Sequence, residues 1–221
     1  MVSSEELAFL DEARAWLRSG GDIDALVLKI GNPLTRLWDA ARHGYLSAIR
    51  WLLDHGADVK KVGTNTGSTP LHAAAYIGRC DAAVLLLDAG ADVDARTYHS
   101  NTPLHHAAAA ADNKLCNLLL SRGASLDARN ENGRDPEARA RKCGHPKNAA
   151  FLADVRAAGG WSAYVAAPRN QLLALRRDLP ALRESGRASP SSVRLYERLF
   201  SEVPEEIFIH AVEFWRSERD A

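Results

Sequence analysis

Apolar residues in this chain come in short bursts at helical spacing, punctuated by glycine and aspartate. Ala82-Ala83-Val84-Leu85-Leu86-Leu87 and Leu115-Cys116-Asn117-Leu118-Leu119-Leu120 carry apolar groups at i, i+3 and i+4, which predicts a helix over each. A shorter burst precedes each one, Leu71-His72-Ala73-Ala74-Ala75 and Leu104-His105-His106-Ala107-Ala108. Thr69 and Thr102 stand where a side-chain oxygen can cap the shorter helix. Pro70 and Pro103 suit its first turn, where no amide donor is needed. Gly44 and Gly78 are placed to end a short first helix, and Gly90 and Gly123 to end a longer second one in left-handed geometry.

The pattern repeats. Ser68-Thr69-Pro70-Leu71-His72-Ala73-Ala74-Ala75 returns 33 residues later as Asn101-Thr102-Pro103-Leu104-His105-His106-Ala107-Ala108, and after another 33 as the worn Asp135-Pro136-Glu137-Ala138. A second marker keeps step: Asp54-His55-Gly56-Ala57-Asp58-Val59, then Asp88-Ala89-Gly90-Ala91-Asp92-Val93, then Ser121-Arg122-Gly123-Ala124-Ser125-Leu126. Two markers with one period in fixed phase predict a repeat architecture, in which units that cannot bury their own apolar faces stack to share a core.

These motifs resemble the ankyrin-repeat family. The resemblance implies an all-α solenoid of helix-turn-helix units with β-hairpin fingers, over a domain at 1–159. Its divisions are a half or capping unit at 3–31, units at 32–66, 67–99 and 100–132, and a worn unit at 133–159. A C-terminal helical segment, 160–221, follows. In the unit at 32–66, Leu37-Trp38-Asp39-Ala40-Ala41-Arg42-His43-Gly44 aligns with Leu71 to Gly78 but lacks the Thr-Pro pair. The resemblance also implies that His72 and His105 tie neighbouring units through the backbone rather than serve chemistry.

The family likeness further implies a concave protein-binding face, made by the fingertips and the outer side of the first helices. Carried onto this sequence, the fingertips supply Asn65, Thr66, Tyr98, His99, Glu131 and Asn132. The positions just after the tips are Ser68, Asn101 and Arg134, and the helix positions are Arg42, His43, Tyr76, Ile77 and Ala110. Tyr76 and Tyr98 are candidate anchors, because tyrosine buries much area at small entropic cost. They could instead pack on their neighbours. Ala107 to Ala111 are expected to form a flat, small-residue floor. Ser100 stands where the other tips have Gly67 and Gly133, so a less regular turn is expected there.

After Gly159-Gly160 the repeat stops. Leu172, Leu175, Leu179 and Leu182 predict an amphipathic helix interrupted at Pro180, and a further helix opens at Pro204. Ile207, Phe208, Ala211, Phe214 and Trp215 make that last helix apolar on more than one side, so it must cap the stack or dock on a partner. Val203 to Phe214 is similar to the opening helix of F-box motifs. That likeness implies the alternative role of substrate receptor for a ubiquitin ligase, and a structural subunit of a larger assembly is a further reading.

Composition narrows the rest. With 28 Lys plus Arg against 28 Asp plus Glu the formal charge is zero, which argues against nucleic-acid binding. The 38 alanines and 28 leucines favour helices. No apolar run is long enough for a membrane span, and the acidic start Ser3-Ser4-Glu5-Glu6 is unlike a signal peptide. A cytoplasmic or nuclear location is expected. Cys80, Cys116 and Cys143 are too few and too scattered for a disulfide framework. Cys143-Gly144-His145 is not a zinc spacing, Gly159-Gly160 is followed by no phosphate-loop lysine, and no Gly-x-Ser-x-Gly elbow occurs. The expectation is a non-enzymatic scaffold or adaptor that binds another protein, uses no cofactor or metal, and is monomeric on its own.

Overall fold

The computed structural model describes residues 2–166 except 30, 31, 64 and 111. Along the chain come α1 (Ser4–Arg18), a hairpin of β1 (Val27–Lys29) and β2 (Asn32–Leu34), then α2 (Arg36–His43) and α3 (Leu46–Asp54). Four-part repetition continues with α4 (Pro70–Ile77) and α5 (Cys80–Asp88), α6 (Pro103–Ala109) and α7 (Asn113–Ser121), α8 (Pro136–Lys142) and α9 (Pro146–Ala157). The chain divides into two compact units, residues 1–156 and 157–221, and the stack belongs to the first. In the second, Gly159 and Gly160 both have positive φ, and residues 161–166 are helical.

Short first helices pack in one row, α2 on α4, α4 on α6 and α6 on α8, while α1, α3, α5 and α7 pack in a second. Equivalent leucines explain the rows. Leu37, Leu71 and Leu104 fill the first, and Leu52, Leu86, Leu119 and Leu152 fill the second, none more than 1% exposed. Each such leucine contributes ~2 kcal/mol of burial before chain entropy is charged against it. The period of 33 to 34 residues thus returns one side chain to the same layer of a continuous core.

Each first helix starts at a capped threonine or aspartate. Thr35 accepts a hydrogen bond from Trp38 N, and Asp135 accepts one from Ala138 N. The unit at 32–66 therefore keeps the threonine of the motif, with Arg36 in place of the proline. Gly44 and Gly78 close α2 and α4 at φ 77° and 79°, as their spacing predicts.

The fingers differ from the expected hairpins. Only the one at 27–34 forms a two-stranded antiparallel ladder among the described residues. The later fingers are closed by turn bonds instead, Gly63 N to Ser68 O, Thr97 N to Asn101 O with Ser100 N to Thr97 O, and Asn130 N to Arg134 O with Gly133 N to Asn130 O. Ser100 does not disturb its turn: it takes φ 57°, beside 71° at Gly67 and 69° at Gly133. The Thr97–Asn101 closure overrides the steric preference of the serine.

A buried carboxylate stands near each end of the described stack. Glu6 on α1 is buried and accepts from Ser47 N (2.7 Å) and Ala48 N (3.2 Å), capping α3, which has no side-chain cap of its own. At the other end Glu137 occupies the layer of Leu71 and Leu104, and its carboxylate is held by Arg141 and Arg156. Arg156 also reaches Asp135 Oδ2 (3.1 Å) and Leu126 O (3.1 Å).

Candidate functional site

The finger face is built on a ladder that ties each unit to the next. His72 Nδ1 accepts from Thr69 N (3.3 Å) and meets the Thr69 hydroxyl (2.8 Å), while Nε2 lies 3.0 Å from Asn101 O. Two groups can donate to Nδ1 and a carbonyl faces Nε2, so the ring is neutral with its proton on Nε2. His105 repeats the arrangement, with Nε2 2.9 Å from Arg134 O. Trp38 does the same work one unit earlier, where its indole N–H donates to Ser68 Oγ at 3.3 Å. Burial pushes His72 down to about 4 and His106 to about 3, and lowers His105 as well. These histidines are structural groups kept neutral by desolvation.

On this frame the tips touch. Tyr98 N donates to Thr66 O (2.8 Å), Glu131 N to His99 O (3.1 Å), and Asn130 Nδ2 to Asn101 Oδ1 (2.9 Å). The Tyr98 ring lies over Gly67, where a Cβ would come within 2.7 Å of it. It nevertheless stays 69% exposed. Tyr76, at the end of α4, packs edge-on to His106 at 5.8 Å and is 63% exposed, with Ile77 beside it at 38%. Asn65, Thr66, His99, Glu131 and Asn132 are also exposed. His99 Nδ1 sits 2.9 Å from the Glu131 carboxylate.

Other expected positions are committed elsewhere. Ser68 is buried and engaged by Trp38 rather than presented to a ligand. Ala107 and Ala108 are fully buried in the stack, which leaves the half-buried Ala109 and Ala110 of the alanine floor among the described residues; Ala111 lies outside them. Exposed His43 bonds Asp39 O (2.9 Å) and stacks on Tyr45, and Arg42 lies over the Trp38 ring. Asn101 and Arg134 are half-buried, their carbonyls taken by the histidine ladder. Two exposed residues went unread in the sequence: Arg96, whose Nη1 donates to Arg129 O (2.9 Å), and Arg129, which donates to Gly133 O (2.8 Å). Their 33-residue spacing was the available signal. The C-terminal positions Ile207, Phe208, Ala211, Phe214 and Trp215 lie outside the described residues.

Chemistry is sparse. Among the described residues no group of three or more His, Cys, Asp or Glu could hold a metal ion, and no helix is long and apolar enough to cross a membrane. Cys116 is buried and its thiol is pushed up to about 12, which removes its nucleophilicity at neutral pH.

A stack of paired helices with a histidine ladder and touching fingertips is a repeat module of the protein-interaction class. The comparisons agree: models of ankyrin repeats match residues 7–97, as three copies, and residues 99–131. The chain belongs to the ankyrin-repeat family. It is 39% identical to mouse protein phosphatase 1 regulatory subunit 12A over 90 residues, 41% of this chain and 8% of that protein. It is 34% identical to delta-latroinsectotoxin-Lt1a of Latrodectus tredecimguttatus over 101 residues, 45% of this chain and 8% of the toxin. Over 51 residues it is 49% identical to human ankyrin repeat and SOCS box protein 18, covering 23% of this chain and 11% of that one. The chain therefore spans about a tenth of each of these relatives. Residues 133–159 lie beyond the matched residues, yet hold a helix pair, α8 capped by Asp135 and α9.

Proposed function

We propose that the chain is a non-enzymatic scaffold or adaptor whose fingertips and exposed first-helix ends receive a protein partner. The observation that carries the reading is the pair Tyr76 and Tyr98, 63% and 69% exposed on a face whose frame is otherwise rigidly bonded. Large aromatic groups left in water on a preorganised surface are the usual anchors of protein interfaces. Regulatory subunit 12A of protein phosphatase 1 is named as a subunit that acts with another protein, in keeping with an adaptor role.

The test is affinity capture of partners from cells with the full chain and with Tyr76→Ala plus Tyr98→Ala. Circular dichroism melting confirms that the doubly substituted chain is folded. The expected outcome is loss of the main partner, since hot-spot aromatics contribute about 2 kcal/mol or more each. A partner retained at full occupancy by the folded variant overturns the reading.

A further inference from the structure

Zero net charge conceals a row of cations along the finger side of the stack. On the fingers and the exposed ends of the first helices stand Arg42, Arg96, Arg129, Arg134 and Lys142. Among the described residues, none of the five forms an ion pair with a carboxylate. Exposed Glu131 stands among them and is paired with His99. The second helices and their following loops carry both signs, with exposed Asp54, Asp58, Asp81, Asp88 and Asp92 beside exposed Arg50, Lys60, Lys61, Lys114 and Arg122. Of these, Asp88 is offset by Arg122 at 2.8 Å.

From this we infer that the finger face accepts an acidic, extended peptide segment that also carries an aromatic or aliphatic side chain. The inference rests on the interface reading above and adds the chemistry of the partner. Tyr76, Ile77 and Tyr98 supply the apolar contact, and the unpaired cations flank them. Arg96 and Arg129 each give one guanidinium N–H to a backbone carbonyl. Those bonds hold the planar heads in place and leave further donors for carboxylates. Neighbouring units pack at about 10 Å, the spacing of packed helices. An extended chain in polyproline II geometry advances ~3.1 Å per residue with three residues per turn, so carboxylates three residues apart share one side at about that unit spacing. A nucleic acid fits less well. Its phosphates need dense neutralisation, whereas here a few cations are spread over several units with Glu131 among them.

The test is selection of ligands for the full chain from a displayed library of random 16-residue peptides. The enriched sequence is then synthesised with a fluorescent label and titrated by anisotropy. Enrichment of Asp or Glu three residues apart, together with Tyr, Phe or Leu, is expected. Arg96→Glu plus Arg129→Glu should weaken the peptide at least about tenfold and flatten its salt dependence. The milder Arg96→Gln plus Arg129→Gln, in a chain that melts as the parent does, should weaken it in the same direction. Neutral or basic peptides that bind and are lost with Tyr76→Ala plus Tyr98→Ala would overturn the acidic partner while leaving the interface reading standing. Peptides indifferent to both sets of substitutions would overturn the two together, as would a failure to enrich any sequence. A single-stranded oligonucleotide that outcompetes the peptide, and is released by the same arginine substitutions, would also overturn the inference.

Discussion

His72 is held neutral by its surroundings: burial first, then the Asn101 carbonyl working the other way. Its value falls to about 4 in the folded chain, against ~6.5 when unfolded. Between those two values the unfolded chain binds a proton that the native chain refuses. Stability is therefore complete above ~6.5 and falls as pH drops through that window, by about 1.4 kcal/mol per pH unit for each such histidine. His106, lowered to about 3, adds to the same slope. The urea midpoint should fall steadily from pH 7 to pH 4.5, and His72→Gln should make the fall shallower whatever it does to the midpoint at pH 7. A flat profile would show that these rings are protonated in the native stack. Ser100 gives a second residue-scale test. Its φ of 57° is unfavourable for a residue with a Cβ. Ser100→Gly should stabilise the chain by about 1 kcal/mol, seen as a rise of ~2–4 °C in the calorimetric midpoint.

Helices here are too short to be stable alone. Their ends are served by neighbours as much as by their own sequence. Thr35, Asp112 and Asp135 cap locally, and those roles follow from residue type and position. The cap of α3 comes from Glu6, some forty residues earlier, through bonds to Ser47 N and Ala48 N. No local pattern reveals it, because the contact exists only once α1 is docked. Glu6→Ala should cost about 1 kcal/mol in denaturant unfolding, within the range of lost helix caps, and Glu6→Gln less. An unchanged midpoint would mean that α1 adds little to the stack. Trp38 was equally hidden: aligned with His72 it looks like a lost motif residue, yet its indole N–H reaches Ser68 as the imidazole reaches Asn101.

At the scale of the stack, the last unit shows how a repeat ends. Glu137 replaces the core leucine, and Arg156 and Arg141 hold its buried carboxylate. Removing one partner strands a charge, whereas removing the ionic group as a whole does not. Arg156→Met should therefore cost about 2 kcal/mol, and Glu137→Leu added to it should restore most of the loss. Chemical denaturation of the three variants decides between this and a merely solvated surface pair, for which all three midpoints would coincide. The same scale governs the candidate interface, where cations scattered along the sequence gather on the fingers and first-helix ends.

The repeat, its period, the capped first helices and the left-handed glycines are written in the residues themselves, because each depends on a few neighbours along the chain. So are the candidate anchors Tyr76 and Tyr98, whose phase in the repeat places them off the core. The tertiary structure decided what depends on distant partners. It buried Ser68 under Trp38 and Ala107 and Ala108 in the stack, and it took His43 into a local cluster. It also aligned Arg96 with Arg129 and neutralised Glu137. Period sets which side of a unit a residue occupies, but only stacking sets whether a neighbour covers it. For that reason the architecture was legible from local pattern, and the chemistry of the exposed face emerged only with the units in contact.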